Sequence, residues 1–201
     1  MPNKFPAARP HLLVLTQDGY RRQHEALDGD DFAAARRVMT ALDSTRTVML
    51  FNCGIASGCS RLHKHLHVCP APESAEFRLW PDDPQALARL PFKSFVQRFE
   101  GGLPSADVIL GLYRGLLRQA EAALGYAAPT DGGPAVPHNV AMDRNWLVVI
   151  PRRAAAWNGA GPNAASMMGM VWVDSEEKMN VWLELGPANV LRQVGVPNDV
   201  N

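Results

Sequence analysis

The chain has 201 residues, of which 47% are hydrophobic and 20% are charged, which suffices for one substantial buried core. Lys and Arg together number 20, as do Asp and Glu, so no overall charge favours nucleic acid or an anionic membrane. No apolar run approaches the roughly 20 residues that span a bilayer, and the first residues lack the hydrophobic stretch of a signal peptide. We expect a cytoplasmic protein that binds neither nucleic acid nor membrane, with a nuclear location left open.

The first predicted elements are a buried strand at Leu12–Thr16 and a helix at Asp30–Leu42, whose acidic start suits the helix dipole. A second strand at Thr45–Asn52 leads into a loop rich in Gly and Ser. A third strand at Leu62–Cys69 follows that loop, so the two strands should form a hairpin-like pair. The proline-rich segment Pro70–Pro84 is expected to be irregular.

The second half begins with the clearest helical pattern, at Asp107–Leu124, which Asp107 could cap and Gly125 could end. A Pro/Gly-rich connector follows at Tyr126–Pro137. Two further strands and a final helix are predicted at Trp146–Ile150, Met168–Val173 and Glu176–Val194. The class is therefore α+β, with a mostly antiparallel sheet and helices on one side.

Three histidines alternate with other residues in His63-Lys64-His65-Leu66-His67. Successive side chains of a strand point to opposite faces, so the three imidazoles should share one face. The preceding loop, 52–60, contains two glycines that permit close backbone approach, together with Ser hydroxyls. Backbone N–H groups of such a loop can hold an anion. Histidines beside an anion-binding loop favour chemistry on a phosphate.

Two other interpretations of these histidines stay open. They could be packed structural residues, although strict alternation beside a Gly/Ser loop is hard to assign to packing. They could also hold zinc, with Cys69 close behind His67. Three ligands at spacings of two on one strand would have to converge on a single ion, and no CxxC or HExxH pattern accompanies them. Phosphate chemistry therefore ranks first, and no metal site is predicted.

The segment Asn52–His67 resembles the active-site block of the histidine-triad superfamily. More narrowly, it resembles the diadenosine tetraphosphate phosphorylases, also called ATP adenylyltransferases. Further segments similar to this family, in the same order, are Asn3–Pro6, Pro10–Thr16, Leu90–Phe92, His138–Arg152 and Leu183–Pro187. The resemblance implies one histidine-triad-like domain over 1–201, with a catalytic block at 1–125 and a C-terminal block at 138–196.

The resemblance implies a nucleotidyltransferase that cleaves diadenosine tetraphosphate with inorganic phosphate into ATP and ADP through a nucleotidylated His65. His63 would help to place His65, and His67 would complete the triad. The residues that would bind or support the substrate are Lys4, His11, Asn52, Gly54, Ser57, Gly58, Cys59, Ser60, Arg144 and Arg152. No cofactor is expected to be essential, although a divalent cation bound with the nucleotide stays open, as does the choice between monomer and homodimer.

Three departures from the family pattern keep alternatives open. His67 stands where transferases commonly carry Gln, so the enzyme could instead be a dinucleoside polyphosphate hydrolase. Arg61 and Leu62 replace the Gln-Pro pair that often precedes the first His. Relatives carry a segment before the region equivalent to Asn3, so a catalytically impaired nucleotide-binding paralogue is a second hypothesis. A zinc-dependent hydrolase is a third.

Overall fold

A six-stranded sheet organises the computed structural model, which describes residues 1–42, 45–72, 77–126 and 134–198. The strands are β1 Leu12–Leu15, β2 Thr47–Cys53, β3 His65–Pro70, β4 Phe95–Arg98, β5 His138–Met142 and β6 Trp146–Pro151. Their order is β1-β3-β2-β5-β6-β4, and each neighbouring pair is antiparallel. The expected α+β class with a mostly antiparallel sheet is confirmed. The hairpin-like pairing of the strands on either side of the Gly/Ser loop is also confirmed, with Leu50 opposite His67.

The helices are α1 Gly29–Ala41, α2 Pro84–Ala88, α3 Ala106–Leu124, α4 Ala164–Met167, α5 Glu176–Leu185 and α6 Pro187–Val194. The longest, α3, ends at Gly125 as predicted, because Gly125 adopts the left-handed conformation with φ 76°. Its predicted cap was wrong. Ser105 caps α3 by accepting a hydrogen bond from Val108 N, and Asp107 lies in the first turn.

Both faces of the sheet are covered, so the prediction that helices lie on one side was wrong. Every residue of β2, β5 and β6 is buried. Val48 and Leu50 face a core that contains residues of α4, α5 and α6, whereas Met49 and Phe51 face a second core built with α1 and α3. Strands buried on both faces are almost continuously apolar, and that pattern does not show which face a helix covers.

Two C-terminal predictions were also wrong. Residues 168–173 form no strand and follow α4 as turn and irregular chain. The predicted single helix at Glu176–Val194 is divided into α5 and α6 at Gly186, which has φ 75°. Pro187 cannot continue α5 because it has no N–H and restricts the preceding residue, but it fits the first position of α6. Strands β4 and β5 were not predicted.

Two predicted connectors fall partly outside the described residues. Residues 73–76 of the Pro70–Pro84 segment lie outside them, as do residues 127–133 of the Tyr126–Pro137 connector. The described part of the first connector contains a short 3₁₀ turn at Trp80–Asp82. Among the described helices, none has the length and apolar character needed to cross a bilayer.

Candidate active site

The alternation of side chains along β3 separates a histidine face from a packing face. Leu66 points into the core formed with α1 and α3, and Lys64 Nζ lies 2.5 Å from a carboxylate oxygen of Asp31 in α1. On the other face the rings of His65 and His67 are in contact, with centroids 5.0 Å apart. The sheet thus places two imidazoles side by side and directs the intervening lysine away from them.

His65 is held in one orientation by its own neighbour. Its Nδ1 lies 2.8 Å from the main-chain oxygen of His63. A carbonyl oxygen can only accept, so Nδ1 carries the proton and Nε2 keeps its lone pair. Burial lowers the pKa of His65, against the opposing effect of the hydrogen bond to His63. The ring is therefore neutral at pH 7, and Nε2 is its nucleophilic atom.

His63 lies before β3 rather than within it. The strand predicted from Leu62 begins at His65, because residues 62–64 hydrogen-bond to the segment around Arg21 and Gln23 instead of to β2. His63 Nε2 lies 3.0 Å from Thr16 Oγ1 and 3.1 Å from Thr16 O. The contribution of His63 to the site is its main-chain oxygen.

His67 contacts a third imidazole, that of His11 at the start of β1. His11 Nε2 lies 3.0 Å from His67 Nδ1, and the ring centroids are 5.2 Å apart. Burial, with smaller contributions from His65 and His11, lowers the pKa of His67 to about 3. Burial also lowers the pKa of His11. Neutral imidazoles therefore line this wall, which borders a cavity of about 190 Å³ that Asn52 and Trp172 also line.

The loop between β2 and β3 makes a tight 3₁₀ turn at Ile55–Ser57, flanked by glycines with positive φ. Gly54 has φ 82° and Gly58 has φ 84°. A Cβ atom on Gly58 would lie only 2.6 Å from the oxygen of Pro162, so this position also requires glycine for space. The turn is therefore fixed by backbone geometry and by contact with the C-terminal part of the chain.

A buried polar network fastens this loop to the sheet. Asn52 Oδ1 accepts hydrogen bonds from Asn139 Nδ2 at 2.9 Å and from Ala164 N at 2.7 Å. Asn139 Nδ2 also donates to Ser57 O at 2.9 Å, and Asn139 Oδ1 accepts from Arg152 at 2.6 Å. With its oxygen held by two donors, the Asn52 amide is fixed in orientation at the edge of the cavity.

The chain is similar to one family of known proteins over nearly its whole length. The profile of the Ap4A phosphorylase N-terminal domain matches residues 1–85, and that of the ATP adenylyltransferase C-terminal domain matches residues 88–197. This chain belongs to the ATP adenylyltransferase family. The division of this chain into a catalytic block at 1–125 and a C-terminal block at 138–196 stays a prediction. The two blocks share one sheet, because β2 of the first pairs with β5 of the second.

Two relatives of this chain come from the yeast Saccharomyces cerevisiae. Protein APA1 is 25% identical over 221 residues, which cover 98% of this chain and 68% of APA1. Diadenosine tetraphosphate phosphorylase 2 is 26% identical over 230 residues, which cover 98% of this chain and 69% of the relative.

Crystal structures of yeast Ap4A phosphorylase Apa2 show the same fold. The complex with AMP superposes with a TM-score of 0.81 at 26% identity, covering 100% of this chain and 73% of Apa2. The complex with Ap4A also has a TM-score of 0.81, at 24% identity, covering 100% of this chain and 74% of Apa2.

The structure brings four of the predicted site residues together. His11, Asn52 and His67 border the same cavity, and His65 adjoins His67. The other predicted residues, Gly54, Ser57, Gly58, Cys59 and Ser60, lie in the loop that follows Asn52, and two of them, Gly54 and Cys59, line a second cavity. Lys4 is exposed, and its Nζ lies 5.4 Å from the Phe5 ring centroid, next to Asn3, which contacts His11.

Three predicted phosphate contacts are placed differently from the prediction. Ser57 is buried, and its hydroxyl donates to Gly54 O at 2.7 Å within the loop. Arg152 is 1% exposed, and its guanidinium donates to Asn139 and to main-chain oxygens. Arg144 follows Asp143, whose carboxylate pairs with Arg46 just before β2. Arg144 therefore lies at the end of β2 opposite the loop, roughly 20 Å away for a strand of this length.

Two residues that support the site through hydrogen bonds, Asn139 and Gln23, are not predicted from the sequence. Asn139 lay inside a segment chosen for its resemblance to the family, and Gln23 lay in no predicted element. A signal existed for Asn139, because a polar residue in the run His138–Met142 needs a buried partner when the strand is covered on both faces. The sequence around Gln23 contains no pattern that predicts its hydrogen bonds to the main chain of His65.

A larger and mostly apolar cavity of about 520 Å³ lies against Gly54 and Cys59 of the loop. It also touches Cys53, which lies on the face of β2 opposite Asn52. Within the ranges that the structure describes, no group of three or more His, Cys, Asp and Glu side chains is arranged to hold a metal ion.

Proposed function

We propose that this chain is an Ap4A phosphorylase, which cleaves diadenosine tetraphosphate with inorganic phosphate into ATP and ADP. Membership of the ATP adenylyltransferase family supports the proposal, as does the similarity to diadenosine tetraphosphate phosphorylase 2. Solved complexes of yeast Apa2 with AMP and with Ap4A support nucleotide substrates. The observation that carries the proposal is the His65 imidazole, whose Nδ1 donates to His63 O and whose Nε2 is nucleophilic.

In the first step, His65 Nε2 attacks an α-phosphorus of Ap4A. The N–P bond forms, the P–O bond to the next phosphate breaks, and ATP leaves with the electron pair. The ring gains positive charge as the bond forms, and the hydrogen bond from Nδ1 to His63 O at 2.8 Å stabilises that charge. The N–H groups of Gly54, Ser57 and Gly58 already donate within the protein. The N–H groups of Cys59 and Ser60 and the Ser60 hydroxyl are the loop groups that would stabilise negative charge on the phosphoryl oxygens.

In the second step, an oxygen of inorganic phosphate attacks the same phosphorus. The P–N bond breaks, ADP forms, and the electron pair returns to Nε2 of His65, while the proton of the acceptor passes to solvent. The two steps split one difficult transfer into two displacements. A divalent cation bound with the nucleotide would neutralise phosphate charge.

Hydrolysis is the second candidate, because His67 stands where transferases commonly carry Gln. A histidine can activate water or protonate a leaving group, whereas an amide cannot. The surroundings of His67 disfavour the acid role. A pKa of about 3 leaves only about one ring in ten thousand protonated at pH 7. The same low pKa makes neutral His67 a weak base for activating water, so its surroundings disfavour both routes to hydrolysis.

The test is an anion-exchange separation of the products from Ap4A, with and without inorganic phosphate. Phosphorolysis predicts ATP and ADP only when phosphate is present, whereas hydrolysis predicts ATP and AMP in both tubes. His65→Ala should lower turnover by a thousandfold or more, on the order found when catalytic nucleophiles are removed. Gln119→Ala is the control, because Gln119 is exposed on α3.

Two further outcomes would contradict the proposal. Unchanged turnover in His65→Ala would remove His65 from the mechanism. Thermal stabilisation by Ap4A without any product would instead support a nucleotide-binding protein, because a ligand at about a hundred times its Kd stabilises by about 2.7 kcal/mol.

Turnover that persists in excess chelator would support the expectation that no metal cofactor is essential.

A further inference from the structure

Strands β2 and β3 separate just before the active-site loop. Their ladder runs from Thr47 opposite Pro70 to Leu50 opposite His67 and ends there. In the same register Asn52 would lie opposite His65, but these two residues do not pair directly. The gap leaves the main-chain groups of Asn52 and His65 in need of other partners, although both residues are buried.

The side chain of Gln23 fills this gap. Its Nε2 donates to Asn52 O and to His65 O, both at 3.0 Å, and its Oε1 accepts from His65 N at 2.8 Å. Gln23 is only 2% exposed, so water does not compete for these groups. The carboxamide therefore replaces the missing ladder pair, with the donor and acceptor pattern of a peptide group.

The main chain of Gln23 also joins the two ends of the active-site loop. Gln23 N donates to Leu62 O at 2.8 Å, and Gly54 N donates to Gln23 O at 3.0 Å. Gly54 follows β2, and Leu62 immediately precedes the histidine motif. One residue thus fixes the start of the loop, the end of the loop and the backbone of the nucleophile.

We propose that Gln23 is the positioning residue that sets the direction of the His65 imidazole relative to the loop. The proposal rests on the proposed function, in which His65 Nε2 attacks phosphorus. The ring of His65 is held at Nδ1 by His63 O, and its backbone is held on both sides by Gln23. Without Gln23 the strands can close into direct pairing or admit water, and either change moves the His65 main chain. Gln23 acts through His65 and Asn52 and does not itself react.

The kinetic test compares Gln23→Met with Gln97→Met. The first removes the carboxamide at similar volume, and the second removes the side-chain amide of an exposed glutamine on β4. A displaced nucleophile lowers kcat on the order of 100-fold, since a shift of 1 Å can have that effect. We expect this loss in Gln23→Met with little change in KM, and wild-type kcat in Gln97→Met. Normal kcat in folded Gln23→Met would overturn the proposal.

The variant Gln23→Glu keeps an acceptor for His65 N and, with its carboxyl kept protonated by burial, one O–H donor in place of the two N–H donors. We expect its kcat to lie between those of wild type and Gln23→Met. It also serves if Gln23→Met fails to fold. A kcat equal to that of the wild type, in a protein that melts at a lower temperature, would show that Gln23 only supports stability and would refute positioning.

A readout independent of turnover is the ¹⁵N spectrum of the His65 ring, assigned with His65→Ala. In the wild type we expect the neutral form with the proton on Nδ1, which the hydrogen bond to His63 O requires. In the Gln23 variants we expect a mixture of tautomers or a changed Nδ1 shift. An unchanged ring spectrum would contradict the proposal even if the protein does not cleave Ap4A, so this failure is distinguishable from failure of the proposed function.

Discussion

The substitution Arg152→Met tests whether one buried guanidinium holds the active-site loop against the C-terminal part of the chain. Arg152 is 1% exposed, and its donor groups lie 3.2 Å from Ser57 O and 2.9 Å from Pro162 O. It donates in addition to Asn139 Oδ1 at 2.6 Å and to Ala154 O at 2.9 Å. Methionine fills much of the same volume but has no N–H, so four oxygens lose a donor, and three of these hydrogen bonds are buried.

The magnitude follows from two opposing effects. Each hydrogen bond from a charged donor contributes about 1.5–3 kcal/mol, so four of them contribute roughly 6–12 kcal/mol. Burial opposes this, because it lowers the pKa of Arg152 to about 9 from 12.5. That lowering corresponds to roughly 5 kcal/mol against the charged form, which methionine avoids. The expected net loss is about 1–7 kcal/mol, centred near about 4 kcal/mol, which is within the range for removing one partner of a buried charged interaction.

The assay is urea unfolding followed by circular dichroism, with thermal melting alongside. A loss of about 4 kcal/mol corresponds to a Tm lower by roughly 8–16 °C in a chain of this size. The matched control is Arg153→Met, because the side chain of Arg153 is exposed and the substitution is the same. The reasoning is refuted if Arg152→Met unfolds within about 0.5 kcal/mol of that control, the usual effect of a surface change.

Gly58→Ala should destabilise more than Gly101→Ala. Both glycines have positive φ, at 84° and 78°, which costs about 1–2 kcal/mol for alanine. Only at Gly58 would the new Cβ meet Pro162 O, at 2.6 Å, so equal melting temperatures would contradict the contact. Stability should also fall in acid. Burial lowers the pKa of His67 to about 3 and that of His138 to about 4, so below pH 6.5 the unfolded chain binds protons that the folded chain does not. The free energy of unfolding should decrease by about 1.4 kcal/mol per pH unit for each histidine as the pH falls from 6.5 towards 5. His67→Gln should reduce that slope by about 1.4 kcal/mol per pH unit, which is the contribution of one proton. An unchanged slope, measured by urea unfolding at several pH values, would argue against a buried neutral His67.

Local patterns in the sequence determined the elements around His65. The alternation in residues 63–67 predicts that three imidazoles share a face. The rings of His65 and His67 are in contact, whereas His63 lies before β3 and contacts Thr16. Gly125 predicts the end of α3, because a left-handed residue is a short-range requirement. The predictions for His65, His67 and Gly125 succeeded because side-chain alternation and helix termination depend on neighbours within a few residues.

Only the tertiary structure decided which polar groups serve the site and which serve packing. In the sequence, Arg144 and Arg152 are two similar basic residues of the same segment. In the structure, Arg152 is buried against the loop, whereas Arg144 lies beyond the end of β2 that is far from the loop. Gln23 supports His65 across 42 positions of sequence, and Asn52 meets Asn139 across 87. No periodicity specifies such pairs, because a buried polar group is satisfied by whichever partner the fold brings within about 3 Å.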